Sequence, residues 1–149
     1  MVRVAESVVV ARPAAEVFAV LADPEAAALW QHGVNGVRAV TDGPPGLGSR
    51  LSGTRAYAGL RVAYTTEITV WDPPRRLAFR AMGAPVRVSG ELALEGAEGG
   101  TRVTATLDLR VGGLSLLGLT DRVVERVAAE LRRDLAALKV LLEGGLATA

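Results

Sequence analysis

The chain has 149 residues and a mass of 15.5 kDa, enough for one domain with a core and too short for two comfortable ones. Half of it is apolar, drawn from 25 Ala, 20 Val and 20 Leu with few aromatics, which excludes a disordered chain and describes a core of small side chains. Seventeen basic against sixteen acidic residues, no cysteine and one histidine argue against a nucleic-acid surface, disulfides, thiolate catalysis and a His- or Cys-based metal site. No cofactor is expected. The opening MVRVAES lacks the pattern of a signal peptide, and the longest uncharged run, 26–37, is far below the roughly 20 residues a bilayer span needs. These features lead us to expect a cytoplasmic protein.

Val2 to Val10 is rich in β-branched residues and reads as a strand, broken at Arg12-Pro13, where Pro suits the first position of a helix. Val17, Phe18, Val20 and Leu21 follow with near-helical spacing. Asp23-Pro24-Glu25 then restarts a second short helix that carries Leu29 and Trp30. From Val34 to Val111 no 3.6-residue period persists, and turn signals at Asp42–Gly46, Ala58-Gly59, Asp72–Pro74, Gly83–Pro85 and Gly96–Gly100 delimit six more strands. After the apolar loop Gly112–Gly118, Thr120 is the expected cap of a long helix with Val124, Val127, Ala128, Leu131, Leu135, Leu138 and Leu142 on one stripe, stopped by Gly144-Gly145. Its other faces carry Glu130, Arg132, Asp134 and Lys139 among further charges. No repeat or linker argues for a second domain, so residues 1–149 form one unit.

Residues opposite one another in an antiparallel pair share a face, and faces alternate along each strand. With Ala58-Gly59 as a two-residue turn, Tyr57 opposes Leu60, Arg55 opposes Val62, Gly53 opposes Tyr64 and Leu51 opposes Thr66. Across Asp72–Arg75, Val70 opposes Leu77 and Ile68 opposes Phe79. The same face continues through Val88, Leu92, Leu94, Val103, Ala105, Leu107 and Leu109, whereas the other holds Glu67 near Arg80 and Glu95 near Arg102. The fold class is therefore α+β: a seven-stranded curved antiparallel sheet gripping a long C-terminal helix, with two short helices after the first strand. Seven strands make a sheet roughly 30 Å wide, and one helix covers only about 10 to 12 Å. Small Val, Leu and Ala fillers should leave an apolar pocket between them.

This order of elements resembles the START-like helix-grip superfamily, in its polyketide cyclase/dehydrase and lipid-transport (SRPBCC-type) branch. The residues that carry the resemblance are Val8–Pro13 running into Glu16-Val17-Phe18, Leu21–Pro24 with Trp30 behind it, Gly46-Leu47-Gly48, Ile68–Leu77, Gly100–Thr104 and Leu135–Glu143. It spans nearly the whole chain and implies a cavity for lipids, polyketides or other hydrophobic molecules. Some members are enzymes and many are carriers, so the fold alone does not choose.

Arg55 falls on the apolar face, where a guanidinium could grip a carboxylate, enolate or phenolate; the alternatives are a solvent-reaching or structurally paired arginine. Glu6 shares the parity of Val4 and Val8 and is a second candidate ionisable group inside; the alternatives are a salt bridge to Arg55 or an inverted parity for that strand. His32, the one side chain that ordinarily titrates near neutrality, is a candidate acid or base at the pocket mouth, or an ordinary loop histidine. Tyr57 and Tyr64 on one hairpin could orient a polar ligand atom or serve as core aromatics. Trp30 is read mainly as packing. The expected lining is Arg55, Tyr57, Tyr64, Phe79, Trp30, Val88, Leu107, Leu117, Val124, Val127 and Leu131, with Leu117 in a lid formed by the Gly112–Gly118 loop, for which dimer contact and membrane touching are the alternatives. The expected function is binding of a hydrophobic small molecule, by a monomer or homodimer. The alternatives are a polyketide cyclase/dehydratase, with His32 and Glu6 catalytic, and a protein-interaction module of the same fold.

Overall fold

The computed structural model describes residues 2–57, 60–82, 87–110 and 119–147, and at 57, 60, 119–121, 123 and 145–147 the backbone alone. Strand β1 (Val2–Val10) leads into helix α1 (Ala14–Leu21), a 3-10 turn (Pro24–Ala26) and the single-turn helix α2 (Ala27–Trp30). Six strands follow: β2 (Val34–Ala39), β3 (Arg50–Tyr57), β4 (Leu60–Asp72), β5 (Arg76–Met82), β6 (Arg87–Ala97) and β7 (Gly100–Arg110). Helix α3 (Leu119–Ala147) closes the chain. The strands form one antiparallel sheet in the order β1-β7-β6-β5-β4-β3-β2, so the first strand returns beside the last and every other neighbour is a hairpin partner. This is the α+β architecture expected from the turn spacing.

Local chemistry explains most boundaries. Pro13 holds an extended conformation one residue before α1 and is its N-cap, not its first residue as expected. Asp23 Oδ1 accepts the Glu25 amide at 2.9 Å and caps the next turn, which opens as 3-10 before widening into α2. Gly100 takes φ +147° at the β6–β7 turn, and any Cβ there would collide with the Val10 carbonyl oxygen, so only glycine lets that turn close on the end of β1.

The β3–β4 register pairs Tyr57 with Leu60, Arg55 with Val62, Gly53 with Tyr64 and Leu51 with Thr66, as the turn arithmetic requires. The β4–β5 hairpin differs. Ile68 opposes Phe79, but a bulge follows, so Val70 opposes Ala78 and Trp71, instead of Val70, opposes Leu77. The extra residue turns the Trp71 ring to an edge-on contact with Phe18, with centroids 5.2 Å apart. Helix α3 also departs from expectation at both ends. It begins at Leu119, placing Thr120 inside it, and it runs through Gly144-Gly145 to Ala147. A glycine costs a helix only about 1 kcal/mol, which terminal exposure and continued hydrogen bonding can absorb.

The core runs through Val10, Val17, Val103, Leu135 and Leu138, all but sealed from solvent, with Leu131 and Leu142 extending it along α3. No described helix is long and apolar enough to cross a membrane. The C-terminal half of α3 is clasped to the end of β1. Lys139 Nζ donates to the Val9 carbonyl and to Glu143 Oε2, each at 2.7 Å, and the Ala11 amide donates to the same Glu143 oxygen at 2.8 Å. Arg12 Nε donates to the Leu142 carbonyl at 3.2 Å.

The Lys139 ammonium first, and the Ala11 amide second, hold the Glu143 carboxyl below the ordinary glutamate range. A carboxyl lowered in the folded state stabilises fully above its unfolded value, about 4.3, and loses that contribution as pH falls through the folded one. Wild type should therefore melt higher than Glu143→Gln at pH 7, and the gap should narrow below about pH 4. Melting curves at pH 7, 5 and 3 check this, and a gap that stays constant would remove Glu143 from the clasp.

Candidate functional site

Between the sheet and α3 lies a cavity of about 150 Å³, walled by Trp30 and Gln31 from the α2 end, Arg55 from β3, Phe79 from β5, Val88 and Leu92 from β6, Ala105 and Leu107 from β7, and Val127, Glu130, Leu131 and Asp134 from α3. A second lobe of about 110 Å³ lies toward α1 and β4 and includes Leu21, Leu51, Tyr64, Ile68 and Leu77. Gln31, Phe79 and Leu92 line both, so these three side chains form the partition. Phe79 can lie low because its cross-strand partner is Gly90: a Cβ at that position would come within 2.5 Å of Phe79 Cζ and 2.9 Å of Leu107 Cδ2. Tyr64 lies likewise across Gly53, where a Cβ would meet its Oη at 2.9 Å.

The polar part of the wall gathers around Asp134, whose side chain is only 5% exposed. Its Oδ2 accepts from Arg55 Nη2 at 3.0 Å, and its Oδ1 accepts from the His32 backbone amide at 2.8 Å. Glu130, one turn earlier on the same helix face, brings Oε2 to 3.9 Å from Arg55 Nη2 and Oε1 to 3.9 Å from the exposed Arg126. The Arg55 side chain is 18% exposed and that of Glu130 22%. One carboxylate thus ties together β3, α3 and the connection from α2 to β2. The Trp30 indole N–H is buried and has no acceptor among the described residues.

Arg55, Trp30, Phe79, Val88, Leu107, Val127 and Leu131 meet in the first lobe, and Tyr64 in the second. Val124 packs partly buried against the core and lines neither. The Tyr57 side chain and Leu117, with the rest of the supposed lid, lie outside the described residues. The two acid–base candidates lie elsewhere. Glu6 does not line the cavity: it pairs not with Arg55, as the salt-bridge alternative had it, but with Arg132 of α3, which reaches across and binds its Oε1 at 2.6 Å through Nη1. His32 is exposed, and it is its backbone amide that joins the cluster.

Asp134 and Glu130 are the residues that helix periodicity missed by placing them on the charged faces. The signal was present: Asp134 lies three residues after Leu131 and four before Leu138, inside the apolar stripe, and Glu130 lies three after Val127. A charge on that stripe needs a partner, and Arg55 is a cation on the opposing inner face.

A broad antiparallel sheet wrapped about one long helix, with an apolar void between them, defines a helix-grip protein. The chain belongs to the polyketide cyclase / dehydrase and lipid transport family, whose profile matches residues 1–143. Among solved structures, it is similar to the protein DR_A0006 of Deinococcus radiodurans, at 27% identity over 97% of this chain and 99% of that one, with a TM-score of 0.70. It is also similar to the di-domain ARO/CYC BexL from the BE-7585A biosynthetic pathway, at 25% identity and a TM-score of 0.74, over 93% of this chain and 45% of that longer one. TTHA0849 from Thermus thermophilus shares the fold, at 20% identity and a TM-score of 0.82 over 99% of both chains. No curated protein matches significantly.

Two substitutions probe the wall. Asp134→Ala removes the 3.0 Å partner of Arg55 from a buried pair, and should cost about 3 kcal/mol in urea unfolding, part of which Arg55→Leu in the same chain restores. A loss below about 0.5 kcal/mol would mean that the pair is no more than a surface contact. Gly90→Ala drives the Phe79 ring off its seat, for an expected loss of about 1 to 3 kcal/mol that Phe79→Leu relieves. Equal stability of Gly90→Ala and wild type would show that the ring has other room.

Proposed function

We propose that this protein binds an apolar small molecule in the lobes between the sheet and α3, with the ligand's one polar end at the Arg55–Asp134–Glu130 cluster. The observation that carries this reading is the apolar void with a single charged corner. A void of about 150 Å³ lined by Phe79, Leu92, Leu107, Val127 and Leu131 is of the size that holds one aromatic ring in a dry protein interior. Typical ligand sites run to about 300–1,000 Å³, so a longer ligand extends into the second lobe by displacing Phe79. The family description, which spans cyclases and lipid carriers, supports an apolar guest.

A second reading, a polyketide cyclase or dehydratase, is favoured by the match to an ARO/CYC di-domain. On that reading Asp134 and Glu130 are better placed than His32 or Glu6 to move a proton, since they line the void. Binding alone requires no turnover, and an interaction module of the same fold requires no void.

Native mass spectrometry and organic extraction of the purified protein should yield a copurified apolar molecule, or uptake of added toluene visible by saturation-transfer NMR. Val127→Phe projects a ring into the first lobe and should lower toluene binding at least about tenfold while leaving the melting temperature within a few degrees. Equal uptake by wild type and variant would place the bound molecule outside this cavity.

A further inference from the structure

Resting on that reading, we propose that the polar end of the ligand is a hydrogen-bond donor, an alcohol, phenol or amine, seated on Glu130 and Asp134, and not a carboxylate or phosphate held by Arg55. An arginine on an apolar inner face invites the opposite expectation, since a guanidinium fits a carboxylate two bonds at a time. One nitrogen of that fork is already engaged: Nη2 of Arg55 gives its 3.0 Å bond to Asp134 and lies 3.9 Å from Glu130. An anionic head using this nitrogen would have to displace one of these carboxylates or lie beside both.

The charge of the wall points the same way. Among the described residues, the cluster facing the void holds one guanidinium and two carboxylates, Arg55 against Glu130 and Asp134. Glu91 is the third acidic residue of the lining, and its carboxylate is bound by Arg76 at 2.7 Å. Arg126, which approaches Glu130 at 3.9 Å, is 60% exposed and does not line the void. The corner therefore carries an excess of negative charge in a largely apolar surrounding, where a like charge on the ligand is repelled strongly and little screened.

Acceptor capacity is also available. Each carboxylate oxygen can accept about two bonds, and each oxygen of Asp134 takes one from the described residues, Arg55 on Oδ2 and the His32 amide on Oδ1. Glu130 meets its two arginines only at ion-pair distance, 3.9 Å on each oxygen. A hydroxyl or ammonium entering from the apolar side finds acceptors at hand and displaces nothing, whereas a carboxylate is brought against the two carboxylates that face Arg55 Nη2.

The test uses four one-ring probes that share a body the first lobe can hold: toluene, benzyl alcohol, benzylamine and benzoate. Their affinities for the wild-type protein are compared by saturation-transfer NMR or calorimetry at fixed ionic strength. Benzyl alcohol and benzylamine should each bind at least about tenfold more tightly than benzoate, and no more weakly than toluene. Glu130→Gln should weaken benzylamine several-fold and strengthen benzoate, leaving toluene unchanged. Benzoate binding as well as the alcohol and the amine, while toluene binds normally, would overturn the donor-head inference alone. Failure of all four, toluene included, would overturn the cavity reading and this inference with it.

Discussion

Seven strands spaced about 4.8 Å apart span roughly 30 Å, and a single helix with its side chains covers a third of that. Helix α3 seats mainly on β1, at one margin of the sheet, where Leu135 and Leu138 are buried with Val10 and Val103, and on α2, which packs against β2 at the other margin. The inner side chains of β5, β6 and the far part of β7 therefore face a span that α3 bridges without filling. Phe79, Val88, Leu92, Ala105 and Leu107 stand there, and apart from one phenyl ring they are too small to close the gap. The void follows from a chain rich in Ala, Val and Leu being asked to line so wide a curve.

A bridge over a void needs ties at several points, and the ties are polar. The far end of α3 is held by Lys139 and Glu143 to the end of β1. Arg132 holds Glu6 on the middle of that strand, and Asp134 holds Arg55 and the α2–β2 connection. The first two sets are partly open to water and act as fasteners of modest strength. The third is different. A buried ion pair is a poor stabiliser when weighed against apolar side chains of equal volume, because desolvating both charges costs most of what their attraction returns. Stability alone therefore gives no reason for Arg55 and Asp134 to stand where Leu131, Leu135 and Leu138 mark an apolar stripe. The role proposed for them at the cavity wall would give one.

Strand pairing was legible because it depends on short-range rules. A two-residue turn at Ala58-Gly59 and the alternation of side chains are enough to bring Arg55, Tyr64 and Phe79 to one face. The rules fail where one extra residue enters: the bulge after Ile68 exchanges Val70 for Trp71, and nothing in the apolar pattern of Ile68–Trp71 marks it. The sheet side of the site was consequently visible and the helix side only half so. Parity on β1 correctly turned Glu6 toward α3, yet parity cannot tell which arginine of α3 will arrive there, and the distance from Glu6 to Arg132 in sequence hides the pair. His32 was singled out for its imidazole, whereas its contribution to the cluster comes from a backbone amide that any residue except proline would supply. Chemistry borne by the main chain leaves no mark in composition.

The partition between the lobes brings the packing and the ligand into one argument. A phenylalanine in the middle of a sheet normally stands up from it, and here it lies down because Gly90 leaves the space beside it empty. The ring then separates two volumes, neither large enough for more than a small guest, and its displacement would join them along the axis from the charged corner at Asp134 toward Leu21 and Ile68. A ligand with a polar head and an elongated apolar body would meet these features in order: the acidic corner, the first lobe, the hinge at Phe79 and the second lobe. On the proposed reading, head chemistry and body length would be read by separate groups, Glu130 with Asp134 for the one and Phe79 on its glycine seat for the other.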